Sequence, residues 1–109
     1  MTTSPFRQEI ELMQNYSKHK TFTFTIADNS NAQTAVTIPG NMEECNKVSF
    51  IVETGDLYVG FDEDATATTM LIPANEGYFD DSIYIGSRIS VKRSANSGTP
   101  RIRGIIWGR

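Results

Sequence analysis

Gly55-Asp-Leu-Tyr-Val-Gly-Phe-Asp62, Leu71-Ile-Pro-Ala-Asn-Glu76, Ile83-Tyr-Ile-Gly-Ser-Arg-Ile-Ser-Val-Lys92 and Ser97-Gly-Thr-Pro-Arg-Ile-Arg-Gly-Ile-Ile-Trp-Gly108 are the four runs whose reading decides the fold. Each is short, alternates apolar with polar or small residues, and is bounded by Gly, Pro, Asp or Asn. Alternation with period two marks a half-buried strand, and those punctuating residues mark turns. None of the four has the length or the 3.6-residue period of a helical crossover. The second half of the chain is therefore antiparallel β structure.

Working outward, the same pattern fills the middle of the chain. Lys20-Thr-Phe-Thr-Phe-Thr-Ile-Ala27 sends Phe22, Phe24 and Ile26 to one face and β-branched threonines to the other. Asp28 to Asn31 supplies a turn, Thr34 to Ile38 a strand stopped by Pro39-Gly40, and Lys47-Val-Ser-Phe-Ile-Val52 a strand with Val48, Phe50 and Val52 in phase. The tight link Glu53-Thr-Gly-Asp56 is expected to join that strand to Leu57–Phe61 as a hairpin. Asn75 to Asp81, with Tyr78 and Phe79 adjacent, has no clear period. Ser82 to Ile85 and Ser87 to Lys92 read as two strands, or one strand bulged at Gly86. The expectation is an all-β domain over residues 20–109, an antiparallel β-sandwich of jelly-roll or immunoglobulin-like type with seven or eight short strands.

Residues 1–19 depart from this pattern. Phe6, Ile10 and Met13 recur at helical spacing, and Ser4-Pro5 suits a cap and first helical position. A short helix or an arm is expected there, covering an open sheet edge in its own subunit or reaching a neighbour.

A chain of 109 residues with 39% hydrophobic residues can bury one core without cross-links. The single Cys45 forms no internal disulfide, and no run approaches the roughly 20 apolar residues of a membrane span. The N-terminus lacks a secretory pattern, so synthesis in a reducing compartment is expected. Charge is unevenly placed: residues 1–27 sum to +1, residues 28–81 to −10 and residues 82–109 to +6, for the net −3. Either these segments form unlike faces that orient association between copies, or basic strands lie beside acidic ones and neutralise them within one molecule.

The candidate reactive residues do not combine into a site. His19 has no nucleophile in a recognisable pattern, and Glu43 and Glu44 disfavour a Cys45 thiolate. Zinc lacks ligands, and no phosphate-cradling glycine loop occurs. Asp62-Glu-Asp64 offers oxygen atoms but not the cadence of a calcium loop. No enzyme activity, cofactor, metal, nucleic acid or membrane is expected. The basic end is more specific. Arg88 and Lys92 lie opposite Ile89 and Val91, while Arg101, Arg103, Ile105 and Trp107 lie opposite Ile102 and Ile106. If both aliphatic sets face the core, Arg88, Lys92, Arg101, Arg103, Ile105 and Trp107 share an outer surface with the composition of an interface hot spot. Alternatively, Ile105 and Trp107 are covered by the N-terminal segment.

Residues 46–109, with Gly-Asp-Leu-Tyr-Val-Gly-Phe-Asp, Leu-Ile-Pro-Ala-Asn-Glu and the Ser-Gly-Thr-Pro-Arg-Ile-Arg-Gly-Ile-Ile-Trp-Gly terminus, resemble small virion proteins of tailed bacteriophages. The resemblance implies a non-enzymatic accessory protein located in the virion: a capsid decoration or cement protein, a head fibre, or a tail or baseplate adaptor. It implies the major capsid protein or other virion proteins as partners, and a homo-oligomer, with a trimer favoured. Phe6, Ile10 and Met13 join the basic residues as expected contacts. A receptor- or glycan-binding module is the alternative, with Trp107, Tyr58 or Tyr84 stacking on sugar rings.

Overall fold

A computed structural model describes residues 16–26, 31–94 and 98–109. Eight strands form: β1 (Lys18–Thr25), β2 (Gln33–Thr37), β3 (Cys45–Glu53), β4 (Leu57–Phe61), β5 (Met70–Ile72), β6 (Gly77–Asp80), β7 (Arg88–Arg93) and β8 (Arg101–Gly108). They make two four-stranded antiparallel sheets, ordered β1–β8–β3–β6 and β2–β7–β4–β5. Successive strands alternate between the sheets except at the β4–β5 hairpin, which is the topology of a jelly roll. The expected β-sandwich is present, and among the described residues there is no helix. Phe6, Ile10, Met13 and the rest of the expected arm before Tyr16 lie outside the described residues.

The period-two pattern places the core between the sheets. Phe22, Val48, Phe50, Val52, Ile102 and Ile106 point inward from one sheet, and Val36, Leu57, Val59, Ile72, Ile89 and Val91 from the other. Full burial of a side chain such as Ile102 or Ile106 contributes about 1.5–3 kcal/mol. The strand pair β8 and β3 anchors its sheet through an eight-pair ladder from Cys45↔Gly108 to Glu53↔Arg101, broken by one irregularity near Asn46. Two glycines make that contact close. A Cβ on Gly104 would strike the Ser49 carbonyl oxygen and sit 2.6 Å from Phe50 Cα, and one on Gly108 would strike the Glu44 carbonyl oxygen.

The expected hairpin between β3 and β4 is corrected. β3 is hydrogen-bonded to β8 and β6, whereas β4 pairs with β7 and β5 in the other sheet. Thr54 (φ 65°) and the buried Gly55 turn the chain sharply enough to cross between layers. Period two showed correctly which side chains of both strands face inward. It cannot separate two inward-facing strands of one sheet from strands in opposite sheets. The stretch 82–85 is also not a strand: Ile85 makes one isolated bridge to Cys45, and β7 begins only at Arg88.

Candidate assembly interface

The outer face of the β1–β8–β3–β6 sheet is built in rows set by strand register. Trp107 stands between His19 and Lys47, Ile105 between Thr21 and Ser49, Arg103 between Thr23 and Ile51, and Arg101 between Thr25 and Glu53. At the β6 end, Phe79 continues the row of Ser49 and Gly77 that of Ile51. This surface is the reverse of the core pattern, because every inward-facing residue of β3 and β8 has an outward-facing neighbour. Phe79 is 59% exposed and Ile51 40%, both high for large apolar side chains on a sheet.

Lys47 organises the end of this face. Its Nζ lies 4.6 Å from the Trp107 ring centroid, 5.5 Å from that of Phe79 and 5.2 Å from that of Tyr16. Such contacts are each worth about 0.5–1 kcal/mol at exposed sites and hold the rings in one patch. The Tyr16 hydroxyl also donates to the Asp81 carbonyl oxygen at 3.4 Å, so the chain enters β1 from above the Trp107–Lys47–Phe79 corner.

Arg101 and Arg103 flank the apolar rows, and both pair with one carboxylate: Arg101 Nη2 to Glu53 Oε2 at 2.7 Å and Arg103 Nε to Glu53 Oε1 at 2.5 Å. The hydrogen bond from Arg101, reinforced by the charges of both guanidinium groups, holds Glu53 below the usual carboxylate range. Three cations, Arg101, Arg103 and Lys47, stand on this face against Glu53, leaving it positive.

Arg88 and Lys92 are not part of this surface, which corrects the expectation that six residues share one face. Both lie on β7 in the opposite sheet. Arg88 Nη2 bonds Asp64 Oδ1 at 2.6 Å, and Lys92 stands opposite Tyr58 on β4. The physical reason is again the alternation of sheets, which sends consecutive strands β7 and β8 to different layers. The outer side of β7 is partly covered: the Ala65 amide donates to Ser90 Oγ at 3.0 Å, and a Cβ on Gly60 would meet the Glu63 carbonyl oxygen at 2.6 Å. The three aromatic residues named for sugar stacking, Tyr58, Tyr84 and Trp107, lie in different places. Tyr58 is on the second sheet, Tyr84 is in the β6–β7 connection and Trp107 is on the first sheet.

Pairing within the chain neutralises part of the uneven charge. Arg88–Asp64, Arg101–Glu53, Arg103–Glu53 and Arg109–Glu44 join the basic residues 82–109 to the acidic residues 28–81. The Asp62-Glu-Asp64 oxygens have similar employment. Asp62 accepts from the amides of Gly86 (2.6 Å), Ser87 (2.7 Å) and Arg88 (3.1 Å) and from the Ser87 hydroxyl (2.9 Å). Burial alone would raise its pKa, but these four donors outweigh burial and bring it from 3.8 down to about 2. Asp62 is thus a staple between the end of β4 and the start of β7. Cys45 is fully buried and bonded to the Lys47 carbonyl oxygen at 3.7 Å, and burial pushes its thiol pKa up.

Sequence reading missed Lys47, Tyr16, Phe79 and Ile51 as members of the face. Lys47 and Ile51 carried a usable signal, since both are out of phase with Val48, Phe50 and Val52. Phe79 carried a weaker one, because of two adjacent aromatics on a strand one must point outward.

No known protein family matches the sequence, and no curated protein matches it. Among solved structures, a protein of Bacillus endospore appendages, which form a family of disulfide-linked pili, superposes with a TM-score of 0.53 at 8% identity, covering 84% of this chain and 87% of that one. That likeness extends to the fold. A cupin-2 domain protein from Shewanella frigidimarina aligns over 98% of this chain and 95% of its own, at 20% identity and a TM-score of 0.35.

Proposed function

We propose that this chain is a non-enzymatic structural subunit of a virion, a decoration or cement protein that lies on the capsid surface and bridges neighbouring capsid subunits. The observation that carries the reading is the outer face of the β1–β8–β3–β6 sheet. It presents Phe79, Ile51, Ile105 and Trp107 side by side, ringed by Arg101, Arg103 and Lys47. Exposed Phe79 and Ile51 beside half-buried Ile105 and Trp107, with arginine at their margin, have the composition of a protein-binding patch, and the excess of cations suits an acidic partner surface. Phe6, Ile10 and Met13, which lie outside the described residues, are proposed as further partner contacts. Arg88 and Lys92, on the opposite sheet, would meet a different neighbour. A fold shared with a pilus protein is compatible with a role in an assembly, although a fold by itself does not fix a function.

Co-sedimentation of the purified protein with undecorated capsids tests the proposal. Saturable binding that weakens with salt supports it, and absence of binding at low salt refutes it. The clustering of Tyr16, Phe79 and Trp107 around Lys47 favours one second reading, a carbohydrate-stacking module of a fibre or tail. Signal on a glycan array without capsid binding would establish that alternative.

A further inference from the structure

Among the described residues, no strand pairs with the outer side of β1 or of β6, the two ends of the β1–β8–β3–β6 sheet. We propose that these edges pair with each other between copies, β1 of one subunit against β6 of the next, so that the sheet continues from subunit to subunit. The inference goes beyond the capsid-binding reading, takes up the homo-oligomer that the sequence resemblance implies, and names the contact that would build it.

Strand direction permits the pairing. β1 runs parallel to β3, since both are antiparallel to β8, and β6 is antiparallel to β3. A translated copy therefore meets β1 with an antiparallel β6. The hydrogen-bonding groups also point the right way. The Ile26 amide donates to Pro100 O at 3.0 Å, so along β1 the even-numbered residues bond β8, and Thr21 and Thr23 aim their amides and carbonyls at the free edge. The Val52 amide donates to Glu76 O at 2.9 Å, so by the same alternation Gly77 and Phe79 aim theirs away from β3.

Register follows from the rows of the sheet itself. The row Lys20, Ile106, Val48, Asp80 begins with a cation and ends with an anion. Repeating it end to end places Lys20 against Asp80 of the next copy and His19 against Asp81. It also brings Phe22 to Tyr78, Thr21 to Phe79 and Thr23 to Gly77. In this register inward residues meet inward residues, the outward-aimed backbone groups form two hydrogen-bonded pairs, and opposite charges face each other across the non-hydrogen-bonded pair. The symmetric alternatives lack this match: at full antiparallel overlap β1 against β1 sets Lys18 against Thr25 and Lys20 against Thr23, and β6 against β6 sets Asp80 against Gly77, so no carboxylate faces an ammonium group. Lysine on an edge strand commonly protects it from pairing. Here the acidic edge at the other end of the same sheet converts that protection into a choice of partner. Because the contact is head to tail, it generates a ring or a fibre rather than a twofold dimer.

Thr21→Pro tests the pairing. It removes an amide aimed at the free edge, where proline is tolerated by the fold. Sedimentation velocity of the full chain is expected to show self-association weakened at least tenfold, with an unchanged circular dichroism spectrum. A mixture of Lys20→Cys and Asp80→Cys chains should form an intermolecular disulfide under mild oxidation, while neither alone does; opposed Cα atoms in a non-hydrogen-bonded pair are about 4.5 Å apart, within disulfide reach, and Cys45 is buried. Wild-type self-association unaffected by Thr21→Pro, together with no disulfide in the mixture, overturns the edge pairing and leaves the capsid-binding reading standing. A wild-type chain that stays monomeric at every concentration overturns the homo-oligomer itself.

Discussion

Asp62→Ala should weaken the fold by an amount that the geometry bounds. The carboxylate accepts four hydrogen bonds, three from backbone amides and one from the Ser87 hydroxyl, all between 2.6 and 3.1 Å. Bonds to a charged acceptor contribute roughly 1.5–3 kcal/mol each when buried, but Asp62 is exposed and water would replace part of what is lost. A net loss of about 2 kcal/mol is expected. For a chain of 109 residues the unfolding entropy is about 0.23 kcal/mol/K, which converts this loss to a fall in Tm of about 9 °C. The pH dependence gives a second handle. Because the folded-state pKa is depressed from 3.8 to about 2, the contribution of the charged group is full above about pH 4 and is lost as pH falls toward 2. That difference corresponds to roughly 2.4 kcal/mol unscreened and to about 1 kcal/mol once solvent exposure is allowed for. Thermal unfolding followed by circular dichroism, for wild type, Asp62→Ala and Asp62→Asn at pH 7 and pH 2, measures both effects. The gap between wild type and Asp62→Asn should narrow at low pH. Equal Tm values at pH 7, or a gap independent of pH, would refute the role given to this staple.

Three further outcomes follow from the same structure. Changing both Arg101 and Arg103 to Glu leaves three carboxylates where one now serves two guanidinium groups, so under the proposed capsid-binding role affinity should fall at least tenfold and lose its weakening by salt, while the fold loses about 1 kcal/mol or less; co-sedimentation across a salt series reads it. Gly104→Ala drives a methyl group into the β3 backbone at Ser49 and Phe50 and should cost about 3 kcal/mol, seen as a lower urea midpoint. Cys45 should resist a thiol reagent in the native protein and react at once in denaturant, because the side chain is fully buried.

The alternation of Phe22, Phe24 and Ile26, of Val48, Phe50 and Val52, and of Ile102 and Ile106 made the strands and their inward faces legible, because burial of one sheet face leaves a period-two trace. Sheet membership was not legible. Whether β4 continues the sheet of β3 depends on hydrogen bonds between residues far apart in sequence, and the turn at Thr54 and Gly55 does not reveal it. That gap explains the fate of the expected surface. Arg101, Arg103, Ile105 and Trp107 share one strand and stay together, whereas Arg88 and Lys92 belong to a neighbouring strand in sequence that lies in the other layer. Lys47 and Phe79 join the face for the same reason in reverse, since register with β8 and β3 brings them there from distant parts of the chain.

Trp107 is the single tryptophan of the chain and stands in the proposed contact, so its fluorescence tests the central claim most directly. When the protein assembles on capsids, as followed in parallel by sedimentation, the emission should shift to shorter wavelength and acrylamide quenching should fall several-fold. Assembly with Trp107 emission and quenching unchanged would contradict the assignment of this face as the interface.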